Sequence, residues 1–89
     1  MKFVEEMLQQ QIYPTLDRAQ ALRDLDPVEA ENRFLMTCPQ CGMRTARIYK
    51  TGVILVCECG YFRDIFTLVK ERHHLDDKKA YEKLSCMIN

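Results

Sequence analysis

The sequence predicts a small α+β fold, in which a short antiparallel sheet is flanked by N-terminal and C-terminal helices. Three observations support this expectation: the chain has only 89 residues, apolar residues alternate in its middle third, and apolar residues recur at helical spacing on either side. Two tight cysteine pairs lie within the middle stretch. A chain this short buries little apolar surface, so a bound metal ion would add stability that a small core cannot supply.

The two cysteine pairs are predicted to bind one structural Zn²⁺ ion. The first pair spans residues 38–41 and the second spans 57–59, with fifteen residues between them. Zinc favours four thiolate or imidazole ligands in a tetrahedron, and two short-spaced pairs can supply these ligands. The expected ligands, and with them a zinc-ribbon fold, are Cys38, Cys41, Cys57 and Cys59. Because the second pair has one intervening residue where two are usual, His73 or His74 is the alternative fourth ligand.

Other uses of the cysteines remain open at the level of sequence. Two disulfides would need an oxidising compartment, but the first residues form no apolar signal segment, so a cytoplasmic location is expected. A thioredoxin-like redox pair would not require a second pair at this spacing, whereas an iron–sulfur cluster would also use four thiolates. Cys86, the fifth cysteine, is predicted to be a small buried residue of the last helix.

Apolar spacing predicts a helix over residues 2–12. Val4, Leu8 and Ile12 form a stripe along one side of it, and Pro14 ends it. The stripe has two interpretations: it packs against the ribbon, or it binds a partner, with a homodimer as one form of that association.

The following stretch is also predicted to be helical. A second helix is expected from Thr15 to Leu25, and Asp26 is the expected cap of a short helical turn that runs no further than Asn32. The apolar period changes at residue 33. A domain boundary, if the chain has one, would therefore divide an N-terminal helical segment, 1–32, from the ribbon, 33–89.

Alternating β-branched and aromatic residues predict three strands in the ribbon. One short strand over residues 33–37 enters the first cysteine pair. Strands over 45–50 and 53–57 form a hairpin that turns at 50–52 and delivers Cys57 to the metal.

Two helices are predicted after the second cysteine pair. Asp64 is the expected cap of a helix over residues 65–74, and Asp76 or Asp77 is the expected cap of the last helix.

Charge is unevenly distributed along the chain. Residues 1–37 have four basic and seven acidic side chains, a net charge of −3, whereas residues 38–89 have nine basic and six acidic side chains, a net charge of +3. A positive metal-binding half favours a polyanionic partner or an acidic protein surface. No membrane partner is expected, since no apolar run approaches the length of a membrane span. Nor is an enzyme expected, because no nucleophile–base pair, phosphate loop or carboxylate pair is present.

Several motifs in residues 38–84 occur together in one known family. They are the Cys-Pro-x-Cys pair, then Arg44-Thr45, then Gly60 and Asp64, then Phe66, Leu68 and Val69 of the next helix, and finally Ala80, Tyr81 and Leu84. In these features the chain resembles the zinc-binding domain of bacterial and phage DNA primases. It departs from that family in its short second cysteine pair and at Phe62 and Arg63, where the family usually has glycines. The catalytic part of a primase has no counterpart in this sequence.

The resemblance implies binding of single-stranded nucleic acid without polymerase activity. By position, the implied contacts are Arg44, Arg47, Tyr49 and Lys50 on the strand, with Tyr61 and Arg63 beside the second cysteine pair. Cations bind phosphates and aromatic rings stack on bases, which is how proteins commonly hold single strands. The expected function is therefore a non-catalytic accessory or regulator that binds single-stranded DNA or RNA, or a replication or polymerase assembly. The alternatives are a protein-interaction module or inhibitor that uses its N-terminal helices on a zinc-stabilised scaffold, and a transcription-type zinc ribbon.

Overall fold

The computed structural model describes residues 6–88, and its centre is a five-stranded antiparallel sheet. The strands follow one another in chain order: β1 Val28–Glu29, β2 Arg33–Met36, β3 Ala46–Tyr49, β4 Ile54–Val56 and β5 Phe62–Asp64. Each strand pairs with the one before it, so the sheet is a meander joined by short connections. The expected short antiparallel sheet is confirmed.

The three predicted strands are present as β2, β3 and β4. Their β-branched and aromatic residues favour extended backbone, and the predicted hairpin turn lies between β3 and β4. The amide of Gly52 closes that turn by donating to the carbonyl of Tyr49 at 2.9 Å. The sequence pattern does not predict β5, whose three residues follow the second cysteine pair closely.

The predicted helical turn between Asp26 and Asn32 is wrong, because Val28–Glu29 within it form β1 at the edge of the sheet. Asp26, the expected helix cap, has a left-handed backbone conformation with a φ of 56°. Its carboxylate and its carbonyl both accept hydrogen bonds from the guanidinium of Arg44. The side chain that would have capped a helix is therefore used to hold the strand connection in place.

Helical segments precede and follow the sheet. In chain order they are a π-helical turn Leu8–Ile12, a 3₁₀ turn Tyr13–Thr15, α1 Arg18–Ala21, a 3₁₀ turn Arg23–Leu25, α2 Ile65–His73 and α3 Asp77–Ser85. The predicted C-terminal helices are confirmed with their caps, since Asp64 and Asp76 accept hydrogen bonds from the amides of Thr67 and Lys79. Within residues 6–88, no helix is long and apolar enough to cross a membrane.

The predicted helix over residues 2–12 can be compared with the structure only from residue 6 onward. Residues 1–5, including Val4, lie outside the described part of the chain. The described half is helical and ends in the π-helical turn. Leu8 and Ile12 are at most 3% exposed, so this part of the apolar stripe packs in the protein's own core.

The predicted helix from Thr15 to Leu25 is wrong as a continuous element. Leu16 is extended and forms an isolated β-bridge with Ile88, which prevents a helix from running through this position. Asp17 then begins α1, because its carboxylate accepts a hydrogen bond from an amide in the first turn. A pairing with the far end of the chain has overridden local helix propensity.

Within residues 6–88, the helical segments cover one face of the sheet and leave the other uncovered. Ala46, Ile48 and Leu55 point to the covered face and are at most 1% exposed. They belong to one core cluster that also includes Leu8, Ile12, Leu16, Leu22, Leu25, Ile65, Leu68, Val69, Ala80 and Leu84. Side chains from both 1–32 and 33–89 thus share a core, and a domain division at that position stays a prediction.

Arg18, at the start of α1, is a charged side chain that is only 7% exposed. Its guanidinium donates hydrogen bonds to the backbone carbonyls of Tyr13, Leu16 and Gly52. Burial lowers the pKa of Arg18 from its ordinary value, while its electrostatic interaction with Tyr13 opposes that shift. The side chain therefore joins the N-terminal turns to the connection between β3 and β4.

Candidate metal centre and open sheet face

The connections from β2 to β3 and from β4 to β5 lie at the same end of the sheet, and each carries two cysteines. The four Sγ atoms lie within 4.8 Å of one another. The Sγ atoms of Cys38 and Cys59 are 3.7 Å apart, as are those of Cys41 and Cys57. Four sulfurs bound at about 2.3 Å to one tetrahedral ion would be about 3.8 Å apart. The cluster therefore has the dimensions of a site for one four-coordinate metal ion.

The sequence prediction of which side chains come together is confirmed, even though the second cysteine pair is short. Cys38 and Cys57 are buried, Cys41 and Cys59 are exposed, and all are free thiols. Among residues 6–88, the group that could hold a metal ion consists of these four cysteines and includes no histidine. The structure therefore gives no support to His73 or His74 as a replacement ligand.

Cys86 lies outside the cluster. The prediction that it is buried in the last helix is wrong, because it is exposed just beyond the end of α3. Leu84 occupies the core position in this part of the helix instead.

The first cysteine turn directs backbone amides at a sulfur. The amides of Gln40 and Cys41 lie 3.3 and 3.5 Å from the Sγ atom of Cys38. Gly42 follows with a φ of 77°, a left-handed conformation that glycine adopts without steric cost. Because N–H groups that point at sulfur stabilise the thiolate, this turn is arranged for a ligand that is an anion.

The second cysteine turn also brings two sulfurs into the cluster, although it has one residue fewer between its cysteines than the first turn has. Gly60 has a φ of 95°, and its amide donates to the carbonyl of Cys57 at 3.0 Å. The amide of Cys57 in turn donates to the carbonyl of Tyr61 at 2.9 Å, so the chain reverses tightly around Cys59. Thr45, from the other connection, places its hydroxyl oxygen 3.1 Å from the Sγ atom of Cys57.

The thiols of Cys57 and Cys59 have opposite pKa shifts. The backbone amide of Cys59 and the hydroxyl of Thr45 lower the pKa of Cys57 to about 6. The amide of Tyr61 lowers the pKa of Cys59, but desolvation and the neighbouring cysteines together outweigh it and raise the pKa to about 11. At neutral pH the thiol of Cys59 therefore keeps its proton in the cluster without metal. A metal ion must displace that proton to bind.

Metal affinity is therefore expected to rise with pH across the neutral range. Cys59, with a pKa of about 11, holds its proton there, so each pH unit should raise the apparent affinity by about tenfold for each proton released. As pH falls through about 6, Cys57 also becomes protonated and the dependence should steepen. Competition against a chromophoric zinc chelator at several pH values, corrected for the chelator's own protonation, measures this. A pH-independent affinity would contradict the assignment.

The uncovered side of the sheet, which we call the open face, carries apolar, aromatic and basic side chains. Its residues are Val28, Arg33, Leu35, Arg47, Tyr49, Ile54, Val56, Phe62 and the acidic Asp64, all placed on one side by the antiparallel register. Its large exposed apolar and aromatic residues, Val28, Tyr49, Ile54 and Phe62, are between 49% and 64% exposed. A depression of about 350 Å³ runs over its centre, lined by Arg47, Tyr49, Gly52, Val53, Ile54 and Val56. A contiguous exposed apolar surface of this kind is typical of an interaction site.

The structure places the predicted nucleic-acid contacts on different surfaces. Arg47 and Tyr49 lie together on the open face. Tyr61 is only 8% exposed and lies beneath the guanidinium of Arg63, 4.9 Å from the ring centroid. Arg63 itself lies opposite Leu55 and therefore points to the covered side. Tyr61 and Arg63 are thus separated by the sheet from Arg47 and Tyr49. Lys50 is not on the open face either, because its ammonium lies over the ring of Phe34, which is opposite the buried Ile48.

Three of the predicted cations have ion-pair partners. Arg44 pairs with Asp26 at 3.1 Å, Lys50 with Glu29 at 3.0 Å, and Arg63 with Glu71 at 3.2 Å. Exposed pairs of this kind contribute about 0–1 kcal/mol each, so they can open, but they reduce the charge available to a ligand. Among residues 6–88, no acidic side chain pairs with Arg47 or with Arg33. The uncompensated positive charge of the sheet is on the open face.

Arg33 and Phe62 complete the open face, although neither is among the predicted contacts. Phe62 is 64% exposed and lies opposite Val56, and Arg33 lies opposite Tyr49. Alternation in β5 would have indicated that Phe62 points outward beside the buried Tyr61, but this argument requires that the strand be recognised first.

The chain matches no protein-family model, no curated protein and no solved structure. The interpretation of the cysteine cluster and of the open face therefore rests on their own geometry and chemistry.

Proposed function

We propose that this protein is a non-catalytic zinc ribbon that binds single-stranded nucleic acid through its open face. The observation that carries the proposal is a combination on one sheet surface: two exposed aromatic rings and two arginines that have no ion-pair partner in the described part of the chain. Aromatic rings can stack on bases, and arginines can bind the phosphates between them. The motif resemblance in residues 38–84 is what favours a template strand in replication as the natural ligand.

Zinc is the metal that best suits the cysteine cluster. Four thiolates in a tetrahedral arrangement are the ligand set of structural zinc sites. All four Sγ atoms lie within 4.8 Å of one another, as expected for ligands of one ion. In an iron–sulfur cluster the cysteines bind different irons, one on each iron in 4Fe–4S clusters and two on each iron in 2Fe–2S clusters, so sulfurs on different irons are further apart. The ion would hold together the two connections that position β2 to β5, and its role in this proposal is structural.

A single strand suits the open face better than a duplex does. Tyr49 and Phe62 project from a broad sheet, and their rings can stack only on bases whose faces are free. In a duplex those faces are occupied by neighbouring base pairs. Among residues 6–88, the helices pack in the core on the other side of the sheet, so none of them projects from the open face to enter a major groove.

Binding to single-stranded DNA is expected to weaken as salt concentration rises, and Arg47→Ala should reduce that dependence. If Arg47 neutralises one phosphate, its loss should lower the slope of log affinity against log salt by about 0.7 and weaken binding similarly across sequences. Fluorescence anisotropy of a labelled oligonucleotide, titrated with zinc-loaded protein at several salt concentrations, measures both quantities.

Arg23→Ala is the matched control for Arg47→Ala, because Arg23 is an exposed arginine in a 3₁₀ turn away from the sheet. It should leave the affinity and its salt dependence nearly unchanged. Equal effects of the two substitutions would indicate a diffuse charge effect and contradict a site at Arg47.

A protein partner at the same surface is the second candidate, because Val28 and Ile54 add exposed aliphatic area that nucleic acid does not require. The described part of the predicted N-terminal stripe is buried in the protein's own core, so the open face is the better surface for such a partner, which the primase resemblance suggests is a replication or polymerase protein. Ile54→Ser should then abolish the association, with little dependence on salt.

A further inference from the structure

We infer that the open face binds a strand of about three to four nucleotides laid diagonally across the sheet, with Tyr49 and Phe62 stacking on bases at its two ends. This inference rests on the proposed function and specifies the site's length and direction. It also assigns a role to Phe62, a residue outside the set implied by the primase resemblance.

The register of the sheet sets the separation of the two rings. Phe62 lies opposite Val56 and Val56 lies opposite Arg47, so Phe62 is two strands away from Arg47 in the same row. Tyr49 is two residues further along β3. Strands lie about 4.8 Å apart and residues rise about 3.4 Å along a strand, which puts the two positions about 12 Å apart on a diagonal.

The bases of two adjacent nucleotides cannot stack on rings that are about 12 Å apart. Successive phosphates in B-form DNA are about 3.4 Å apart along the axis, and an extended single strand spaces them more widely. Two to three nucleotide steps therefore cover the distance, so bases stacked on the two rings would have one or two nucleotides between them.

The surface between the rings suits such a strand. Ile54 and Val56 lie on β4 between the aromatic positions and offer an aliphatic floor without a competing ring. Arg47 borders this floor, and Arg33 lies opposite Tyr49 at one end of the diagonal, so both can reach phosphates. Asp64 is the acidic residue of this face, opposite Ile54, and its carboxylate is engaged by the amide of Thr67 as the cap of α2.

The test measures the affinity of zinc-loaded protein for labelled oligothymidylates of three lengths: a dinucleotide, a tetranucleotide and an octanucleotide. Tetranucleotide binding should be markedly tighter than dinucleotide binding, because only the longer strand reaches both rings. Phe62→Ala and Tyr49→Ala should each weaken tetranucleotide binding roughly tenfold or more, the usual loss when a stacking ring is removed. The dinucleotide can stack on either ring, so each substitution should weaken dinucleotide binding by about twofold at most.

Two further variants control for general effects. Phe62→Tyr keeps the ring and should restore tetranucleotide binding. Met43→Ala removes a side chain that is 61% exposed but lies in the first cysteine turn. This variant should bind oligonucleotides of every length as tightly as the unmodified protein does. Zinc content and thermal unfolding identify any variant that has lost its fold.

The outcomes separate the inference from the proposed function. If the unmodified protein binds no oligonucleotide of any length, the proposed function itself fails. If it binds but Phe62→Ala behaves as Met43→Ala does at every length, the two-ring site is wrong and the proposed function stands. Tighter binding to a duplex of the same length than to the single strand would overturn the proposed function and the inference with it.

Discussion

Removal of the proposed zinc ion is expected to unfold the sheet of this protein. The cysteine cluster lies between the connection from β2 to β3 and that from β4 to β5, so an ion bound there would hold four of the five strands in their arrangement. Binding of zinc contributes about 10–16 kcal/mol in zinc-finger peptides. This contribution is of the same size as the net stability of about 5–15 kcal/mol that is typical of folded proteins.

Far-ultraviolet circular dichroism and thermal unfolding of the protein before and after treatment with a strong chelator measure this effect. We expect the cooperative transition to disappear on chelation and to return when Zn²⁺ is added back. A chelated protein that keeps its cooperative transition at a similar temperature would show that the core is sufficient without metal.

Serine substitutions test the ligands one at a time. Cys41→Ser and Cys59→Ser change the two exposed members of the cluster and should reduce zinc affinity to a similar extent. Cys86→Ser changes an exposed cysteine outside the cluster and should leave the affinity unchanged. A harmless Cys59→Ser together with a damaging His73→Ala would contradict the four-cysteine site.

Arg18→Met is expected to destabilise the fold by about 3 kcal/mol, because it removes the donor for three backbone carbonyls. A buried acceptor left without its donor costs about 1–3 kcal/mol, and relief of the guanidinium's desolvation offsets part of the total. For a domain of this size, a loss of about 3 kcal/mol corresponds to a fall in melting temperature of about 12–24 °C. Denaturant and thermal unfolding of the zinc-loaded protein measure it.

Arg23→Met is the matched control, since Arg23 is an exposed arginine in the adjoining 3₁₀ turn. Its stability should be within about 0.5 kcal/mol of the unmodified protein. Arg18→Lys should recover only part of the loss, because an ammonium group cannot reproduce the planar fork of donors. If Arg18→Met and Arg23→Met were equally stable, the three hydrogen bonds would not hold the N-terminal turns to the sheet.

The cysteine cluster could be predicted from sequence because its information is local. The spacing of each pair sets its turn, and a hairpin of ordinary length brings the two turns together. Gly42 and Gly60 provide the left-handed positions that these turns need. Even the short second pair reaches the site, since Gly60 lets the chain reverse directly after Cys59. The caps at Asp64 and Asp76 are local in the same sense and were equally predictable.

The N-terminal third was less predictable because its conformation depends on distant residues. Leu16 is extended through its pairing with Ile88, and Asp26 is held by Arg44, eighteen residues further along the chain. The buried role of Arg18 depends on Gly52, thirty-four residues away. Helical periodicity and the capping pattern at Asp26 describe none of these contacts. They therefore predicted a helix and a helical turn where the chain forms short separate elements.

The open face illustrates an intermediate case. Arg47 and Tyr49 could be placed on one side of a strand by alternation alone. Whether Tyr61, Arg63 or Phe62 joined them depended on the pairing of β5, which a three-residue strand after a cysteine turn does not reveal. Ion pairs to Asp26, Glu29 and Glu71 likewise become visible only when the fold brings these carboxylates to the predicted cations.

The most direct test of the proposed function is to map the bound strand on the zinc-loaded protein by nuclear magnetic resonance. An isotope-labelled sample would be titrated with a single-stranded octanucleotide, and the backbone and aromatic shifts followed residue by residue. We expect the largest changes at Arg33, Arg47, Tyr49, Ile54, Val56 and Phe62, with small changes in α2 and α3. Absence of any change at saturating oligonucleotide, or changes centred on Tyr61, Arg63 and the helices, would contradict binding at the open face.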